Sequence, residues 1–280
     1  MATAVAHYTA AALTDRGRRR GSNEDAFGYS VEHGVYLVCD GMGGAAAGEI
    51  ASSLAVDEVL RLVAERLDSG SASRAESSSL PAIAQEAIVA ANHAIHSRGQ
   101  RSLRLSGMGT TLVGLLAGQP DSGRDSNPRV WILNVGDSRC YRLRKARLQL
   151  CTQDHSLVEE QIRLGRMTRS EAARSPLRNV ITRALGTQSS VTPDVIEAEV
   201  EPGDLFLLCS DGLTRDLSDE RIESILNAGR NASRNAGKGA LNPTSESSAA
   251  ELEELCARLV QAANKAGGHD NITCLLVRVD

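Results

Sequence analysis

The chain has 280 residues, a formal net charge of -4 and an ordinary globular composition, with 41% hydrophobic and 24% charged residues. These values exclude wholesale disorder, and a chain of this length can bury a substantial core. Aromatic residues make up only 2% of the chain, which is too few for a base-stacking surface, and a mildly acidic chain gains no electrostatic affinity for nucleic acid.

Short runs of β-branched and aliphatic residues recur along the chain, each bounded by Gly, Pro, Asp or Asn, as is typical of strands. The predicted strands are 35–39, 110–117, 130–135, 195–200, 205–209 and 273–279. Several of them are apolar on both faces of the strand alternation. We therefore expect them inside a layered structure, not at its surface.

The sequence also predicts three amphipathic helices. They cover residues 48–67, 81–97 and 249–264. Apolar residues in each recur at the i, i+3, i+4 spacing of a helix that covers a core, as Leu252, Leu255 and Leu259 do in the third.

Segments rich in Ser, Gly and Asn, without apolar periodicity, are predicted to be exposed loops. They cover residues 68–80, 118–129 and 229–248. None of them separates two halves that each have a complete core, so residues 1–280 are predicted to form a single domain.

The six cysteines show no C-x-x-C spacing and lie mostly in apolar runs. Small buried thiols in a reducing cytoplasm explain them better than disulfides or a zinc site do. No run approaches the roughly 18 apolar residues of a membrane span. The early arginines follow the first apolar run, whereas in a secretory signal peptide the basic residues precede it. We expect a cytoplasmic protein with no membrane or nucleic-acid partner.

Five aspartates stand at the ends of apolar strands or beside glycines. They are Asp25, Asp40, Asp137, Asp211 and Asp270. Any one of them could be a plain turn residue, because Asp bonds its own backbone and Gly supplies a positive φ. Several carboxylates converging at a sheet edge would repel one another unless cations lay between them. Oxygen ligands without His or Cys favour hard ions such as Mg²⁺ or Mn²⁺.

The order and surroundings of these turns resemble the metal-dependent protein phosphatases, the type 2C serine/threonine phosphatases. The matching motifs lie at 14–25, 40–49, 107–111, 134–139, 152–156, 179–186, 210–213 and 269–273. Eight motifs in the family's order span almost the whole chain, and the resemblance is closest to the short bacterial branch.

The resemblance implies an α+β fold, a four-layer α-β-β-α sandwich of two central antiparallel sheets flanked by helices. It places a metal cleft at one end of the sandwich, between the sheets. Residues 155–185 correspond to a flap beside that cleft, which contacts the substrate.

The resemblance also implies a ligand set for two Mn²⁺ or Mg²⁺ ions. Asp40 would bridge the ions, the backbone carbonyl of Gly41 would bind one of them, and Asp211 and Asp270 would bind the same ion directly. Asp137 matches the residue that supports, with Asp211, a third and weaker ion.

The implied reaction is one-step hydrolysis of phosphoserine or phosphothreonine by a water that bridges the ions. Asp25, with Glu24, would hold metal-bound waters, and Arg20 would grip the phosphate through its planar fork. The partners would be phosphorylated proteins and a cognate bacterial Ser/Thr kinase, and we expect the chain to act as a monomer.

The chain departs from the family at the position of a suggested proton donor. A histidine often follows the Asp-Gly pair or the second glycine pair, whereas this chain has Met42 and Ala45. The leaving-group proton must then come from water, such as one on the third ion, or from another residue. His155 and His269 lie inside family motifs and are interpreted as structural or rim residues.

Three other interpretations stay open at the sequence level. A catalytically dead family member could act as a binding module, although no metal aspartate is lost. The same scaffold could hydrolyse a small phosphoester, which an assay would distinguish. A regulatory phosphatase devoted to one partner is the third, although such proteins usually carry a sensor domain.

Overall fold

A computed structural model describes residues 7–69, 79–118, 128–236 and 245–280. These residues form eleven strands and seven α-helices. The strands are β1 Tyr8–Asp15, β2 Asp25–Ser30, β3 Val35–Met42, β4 Gly109–Thr110, β5 Leu112–Ala117, β6 Arg129–Val135, β7 Arg139–Arg144, β8 Arg147–Leu150, β9 Asp194–Glu199, β10 Leu205–Cys209 and β11 Ile272–Val279. The helices are α1 Ala45–Ser69, α2 Leu80–Gln100, α3 Leu157–Arg163, α4 Arg169–Arg174, α5 Asp211–Asp216, α6 Asp219–Ala236 and α7 Ser245–Ala266.

The strands form two antiparallel sheets. The first has the order β1-β11-β10-β7-β8, and the second has the order β2-β3-β5-β6-β9, with the short β4 paired to β3. In the first sheet, β11 lies in the interior between β1 and β10, although it is the last described strand of the chain.

Strand β3 shows why both faces of the sheets are apolar. Tyr36 and Val38 belong to the core between the two sheets. Val35, Leu37 and Cys39 belong to the core under α1 and α2. Successive side chains of a strand point to opposite faces, so a strand covered on both sides must be apolar throughout.

The other sheet is covered in the same way by helices from the second half of the chain. Buried residues of α6 and α7 pack with Leu207, Cys274 and Leu276 of β10 and β11. Phe206 and Leu275 face the core between the sheets. The layers are therefore helix, sheet, sheet and helix, and the predicted α+β four-layer sandwich is confirmed.

All six predicted strands and all three predicted helices are present, with the strand predicted over 110–117 divided into β4 and β5. Sequence reasoning missed β1, β2, β7 and β8. Polar and small residues interrupt these strands, as the sequence RCYRLR of β7 shows. Helices α3, α4, α5 and α6 were also not assigned.

The loop predicted over 229–248 is wrong at both ends. Helix α6 continues to Ala236 and α7 begins at Ser245. The apolar face of α6, with Ile222 and Leu226, is buried, and this anchors a helix whose later Asn, Gly and Ser residues are typical of loops. Helices reach Ser69 and start at Leu80, and β6 starts at Arg129, so most of the other two predicted loops lies outside the described residues.

All six cysteines are free thiols, and five of them are buried. Among the described residues, none of the helices combines the length and the apolar character needed to span a bilayer.

Candidate metal centre and active site

The pairing register brings the five aspartates to one end of the sandwich. In the first sheet, Cys209 lies opposite both Arg139 and Cys274. Asp211 follows Cys209 by two residues, Asp137 precedes Arg139 by two, and Asp270 lies just before β11. Antiparallel neighbours therefore place these three acids at the same edge.

The second sheet contributes the remaining two aspartates. Asp25 is the first residue of β2 and pairs directly with Asp40 of β3. The backbone of Asp40 is held in place because its N–H donates to Thr111 Oγ1 at 3.0 Å and its carbonyl accepts from Thr110 Oγ1 at 2.9 Å. The site is thus built from both sheets.

Asp25 links the two sheets through its side chain. Its Oδ2 accepts hydrogen bonds from Ser210 Oγ at 2.7 Å and from Thr273 Oγ1 at 2.6 Å. Its Oδ1 is buried without a partner among the described residues. Burial raises the pKa of Asp25 to about 7, and the two hydroxyl groups oppose this shift.

Asp40 lies at the electrostatic centre of the group. Burial and then the neighbouring carboxylates, with Asp25 and Asp211 first, raise the pKa of Asp40 well above its usual range. Burial and then Asp211 raise the pKa of Asp137 to about 7. Both shifts have the same two causes, which are burial of the carboxyl groups and their closeness to one another.

Asp211 and Asp270 are held by arginines. Arg215 Nη2 lies 2.7 Å from Asp211 Oδ2, and Arg215 Nη1 lies 2.6 Å from Asp270 Oδ2. The same Oδ2 of Asp270 accepts from Arg20 Nη2 at 2.7 Å. The other oxygen of Asp211, Oδ1, is buried without a partner among the described residues. Burial raises the pKa of Asp211, and the charge of Arg215 opposes that shift.

Gly41 allows close approach of three backbone segments. Its N–H donates to the carbonyl of Glu24 at 3.1 Å. A Cβ at position 41 would overlap the carbonyl oxygens of Gly48 and Glu24. Glycine is therefore required for packing at this position, whatever its carbonyl binds.

These residues fit hard cations by their chemistry. All the side-chain donors are carboxylate oxygens, and the buried, unpartnered Oδ1 atoms of Asp25 and Asp211 have lone pairs that nothing among the described residues satisfies. As the side chains lie, no group of three His, Cys, Asp or Glu among the described residues could hold an ion. In this arrangement the ion pairs of Arg20 and Arg215 occupy the Oδ2 atoms of Asp211 and Asp270.

A cleft of about 680 Å³ opens beside this group of acids. Asp137, Asp211 and Arg215 line its inner wall, and Glu159, Arg169 and Arg178 of the 155–185 segment line its outer wall. The cleft thus joins the acids to the segment predicted to be a flap, and its outer wall carries both signs of charge.

His155 fastens the predicted flap to the acid edge. Its Nδ1 accepts from the N–H of Gly136 at 3.1 Å, which places the ring proton on Nε2. Nε2 faces Asp194 Oδ2 at 3.1 Å, and Arg183 Nη1 lies at the same distance from Nε2 and also contacts Asp194. The backbone also pairs here, since His155 N–H donates to the Gly136 carbonyl at 2.8 Å. His155 is buried, and its interpretation as a structural residue stays a prediction.

His269 lies on the rim of the cleft, where its Nδ1 contacts Asp216 Oδ1 at 2.5 Å and about half of its side chain is exposed. Met42 is half-buried and has no titratable group. The rim position of His269 agrees with its interpretation from the sequence.

Sequence reasoning missed Arg215, Ser210 and Thr273. The contact of Arg215 with Asp211 could have been predicted, because a residue four positions after Asp211 on a helix lies on the same face. Ser210 and Thr273 stand next to or near the aspartates in sequence, but their contact with Asp25 joins positions 185 and 248 residues apart. No local pattern predicts a contact of that range.

Comparison with known proteins identifies the family. The model of the family Protein phosphatase 2C matches residues 15–257. The serine/threonine phosphatase stp of Listeria monocytogenes serotype 4b (strain F2365) is 35% identical over 270 residues, which cover 95% of this chain and 94% of that protein.

Solved structures agree over nearly the full length. The crystal structure of the Mycobacterium tuberculosis serine/threonine phosphatase PstP/Ppp has a TM-score of 0.77 and 32% identity, covering 99% of this chain and 100% of that one. The catalytic domain of PstP in complex with two manganese ions has a TM-score of 0.75 and 32% identity, covering 99% of each chain. This chain belongs to the protein phosphatase 2C family and is a phosphatase of the bacterial type.

Proposed function

We propose that this chain hydrolyses phosphoserine and phosphothreonine in cytoplasmic proteins, as a monomer that depends on two Mn²⁺ or Mg²⁺ ions and reverses a bacterial Ser/Thr kinase. The observation that supports this most is the convergence of five acids from both sheets beside an arginine-bearing cleft. Two buried carboxylate oxygens in this group have no partner among the described residues. The relative whose structure contains two manganese ions supports the choice of metal.

Asp40, the carbonyl of Gly41, Asp211 and Asp270 would hold the two ions, and Asp137 with Asp211 would support a third. When bound, the ions supply a water of lowered pKa for in-line attack on phosphorus. Carboxylates that repel one another in a buried group gain most from such cations, which is why the raised pKa values of Asp40 and Asp137 support this assignment.

Arg20 would bind the phosphate of the substrate. Only one of its nitrogens contacts Asp270, and about half of the side chain is exposed. The remaining N–H groups of the planar fork can donate to phosphate oxygens in a bidentate arrangement. Arg20 would orient the phosphorus and would bind the substrate without breaking a bond itself.

The cleft would accept a phosphorylated segment of a protein. It has a volume of about 680 Å³ and is bounded by Arg169 and Arg178 of the predicted flap. The relatives that this chain resembles are named serine/threonine phosphatases. This favours protein substrates over the alternative of a small phosphoester.

Phosphate release from a phosphothreonine peptide tests the proposal. We expect turnover with Mn²⁺ or Mg²⁺, loss of turnover in EDTA, and poor replacement by Zn²⁺, because the ligand set has only oxygen atoms. Asp40→Asn should abolish turnover, since it removes the charge of a carboxylate that would hold the ions. Full turnover in EDTA would refute the metal assignment, and turnover of p-nitrophenyl phosphate without any phosphopeptide activity would refute the protein substrate.

A further inference from the structure

Arg215 joins two of the proposed metal ligands. It lies one helical turn after Asp211 on α5, and its two terminal nitrogens contact Asp211 Oδ2 at 2.7 Å and Asp270 Oδ2 at 2.6 Å. Its side chain is 23% exposed, whereas that of Arg20, which contacts only Asp270, is 49% exposed. Arg215 is thus the more buried of the two arginines, and it is the one that contacts both carboxylates.

The position of Arg215 is fixed by tight packing of α5. Leu213 is fully buried. A Cβ at Gly212 would overlap the backbone carbonyl of Asn271, next to Asp270. Helix α5 cannot move away from Asp270 without breaking this packing, so the guanidinium stays within reach of both acids.

A guanidinium and a metal ion compete for the negative charge of the same carboxylates. The Oδ2 atoms of Asp211 and Asp270 each accept a charge-assisted hydrogen bond from Arg215, and an ion bound by either oxygen of these carboxylates would face that positive charge at close range. Binding of the metal ion to these carboxylates therefore weakens their interaction with Arg215, and Arg215 weakens the binding of the ion.

We propose that Arg215 is an internal counter-ion that competes with the metal for Asp211 and Asp270, and that it thereby sets how tightly the metal binds. This rests on the metal dependence in the proposed function. Arg215 neutralises repulsion between the two acids and must release them when the ion is bound. Arg215 is thus a regulating residue of the metal centre, distinct from the phosphate-binding role of Arg20.

Calorimetric titration of MnCl₂ into the full chain, stripped with EDTA and then dialysed, measures this competition directly. Arg215→Gln should lower the Kd for Mn²⁺ about tenfold, within the range typical of coupled binding. Arg215→Lys keeps one charge but loses the two-pronged contact, so it should lower the Kd by about threefold. Arg169→Gln is the control, because Arg169 lines the same cleft, is 78% exposed and pairs with Glu159.

Thermal melting gives a second measurement that does not require activity. In EDTA, Arg215→Gln should melt below the parent, because Asp211 loses its paired cation and Asp270 keeps only Arg20. Saturating Mn²⁺ should remove most of that difference. Arg169→Gln should melt with the parent in both conditions.

The proposal is overturned if Arg215→Gln binds Mn²⁺ as the parent does or more weakly, or if Arg169→Gln tightens binding equally. The first result would show that Arg215 supports the structure or preorganises the acids for the metal. The second would show that the change in Kd comes from the net charge of the protein, not from the contacts of Arg215. Failure of the parent to bind Mn²⁺ would instead overturn the proposed metal dependence itself. If Arg215→Gln does not fold, an unchanged Kd in Arg215→Lys overturns the competition.

Discussion

Arg20 has an exposed guanidinium beside a buried acid. The neighbouring Arg18 and Arg19 are also exposed, but among the described residues they form no ion pair, whereas Arg20 pairs with Asp270. The cluster of arginines in sequence therefore contains one residue with a site contact and two with solvated side chains. This difference suggests a pair of variants.

Arg20→Ala should raise KM for a phosphothreonine peptide with little change in kcat. A charge-assisted hydrogen bond contributes about 1.5–3 kcal/mol, which corresponds to roughly 10- to 100-fold in KM. Steady-state kinetics at saturating Mn²⁺ measure both constants. Arg19→Ala is the control and should behave as the parent. Equal KM values for Arg20→Ala and the parent would assign the phosphate to another residue.

The 155–185 segment is attached to the sandwich by the ring of His155 at one end and by the backbone pair of Leu185 with Thr110 at the other. Burial lowers the pKa of His155, Arg183 adds to this shift and Asp194 opposes it. Only the neutral ring can accept the N–H of Gly136. With a folded-state pKa below that of the unfolded chain, this anchor contributes fully above about pH 6.5 and is lost as pH falls through the folded-state value.

Protonation of His155 should therefore make the protein acid-sensitive. Between pH 7.5 and pH 5, the parent should lose more stability, and fall further in Tm, than His155→Asn, whose amide oxygen accepts a hydrogen bond without titrating. Thermal melts across this range compare the two proteins, and the buried aspartates titrate equally in both. Parallel Tm curves would show that His155 does not carry the effect.

The strands and helices that were predicted from the sequence are those whose burial produces a regular pattern of apolar residues in the local sequence. Strand β3 is apolar on both faces because it is covered twice, and α1, α2 and α7 show regular apolar stripes. Strand β8 was missed because it is an edge strand with exposed residues at Arg147, Gln149 and Leu150. Helix α6 was missed because its polar second half suggests a loop, while its burial against α7 is a tertiary effect.

The site divides in the same way. The aspartates stand in short motifs that keep their order along the chain, so the resemblance located them. The contact of Arg215 with Asp270 spans 55 residues, and the contacts of Asp25 with Ser210 and Thr273 span still more. Those contacts depend on how two sheets are stacked, and sequence spacing contains no measure of that.

The molecule as a whole is held together by the core between its sheets. Phe206 is fully buried there, with Tyr36, Ile132 and Leu275 among its neighbours in the cluster. Few aromatic residues are available in this chain. Phe206 is one of the largest fully buried side chains among the described residues.

Phe206→Ala should destabilise the protein by about 3–5 kcal/mol, since it leaves a cavity between the sheets. The expected fall in Tm is on the order of 10 °C. Leu103→Ala is the control, because Leu103 is 98% exposed and its loss should change stability by less than about 0.5 kcal/mol. Melts at fixed Mn²⁺ concentration compare the variants. A Phe206→Ala protein that melts with the parent would mean that the sheets repack without loss.

Strand β11 pairs with β1 along its whole length, from Tyr8 opposite Val279 to Asp15 opposite Ile272. The first and last described strands are thus neighbours, and the contacts that place Asp270 beside Arg20 have some of the longest sequence separations in the fold. Loop-closure entropy makes such contacts slow to form. During synthesis, a nascent chain of residues 1–269 contains four of the five acids but lacks β11, the strand that sets their spacing. The enzyme should acquire its hydrolytic capacity in one late step, when that strand inserts between its two partners.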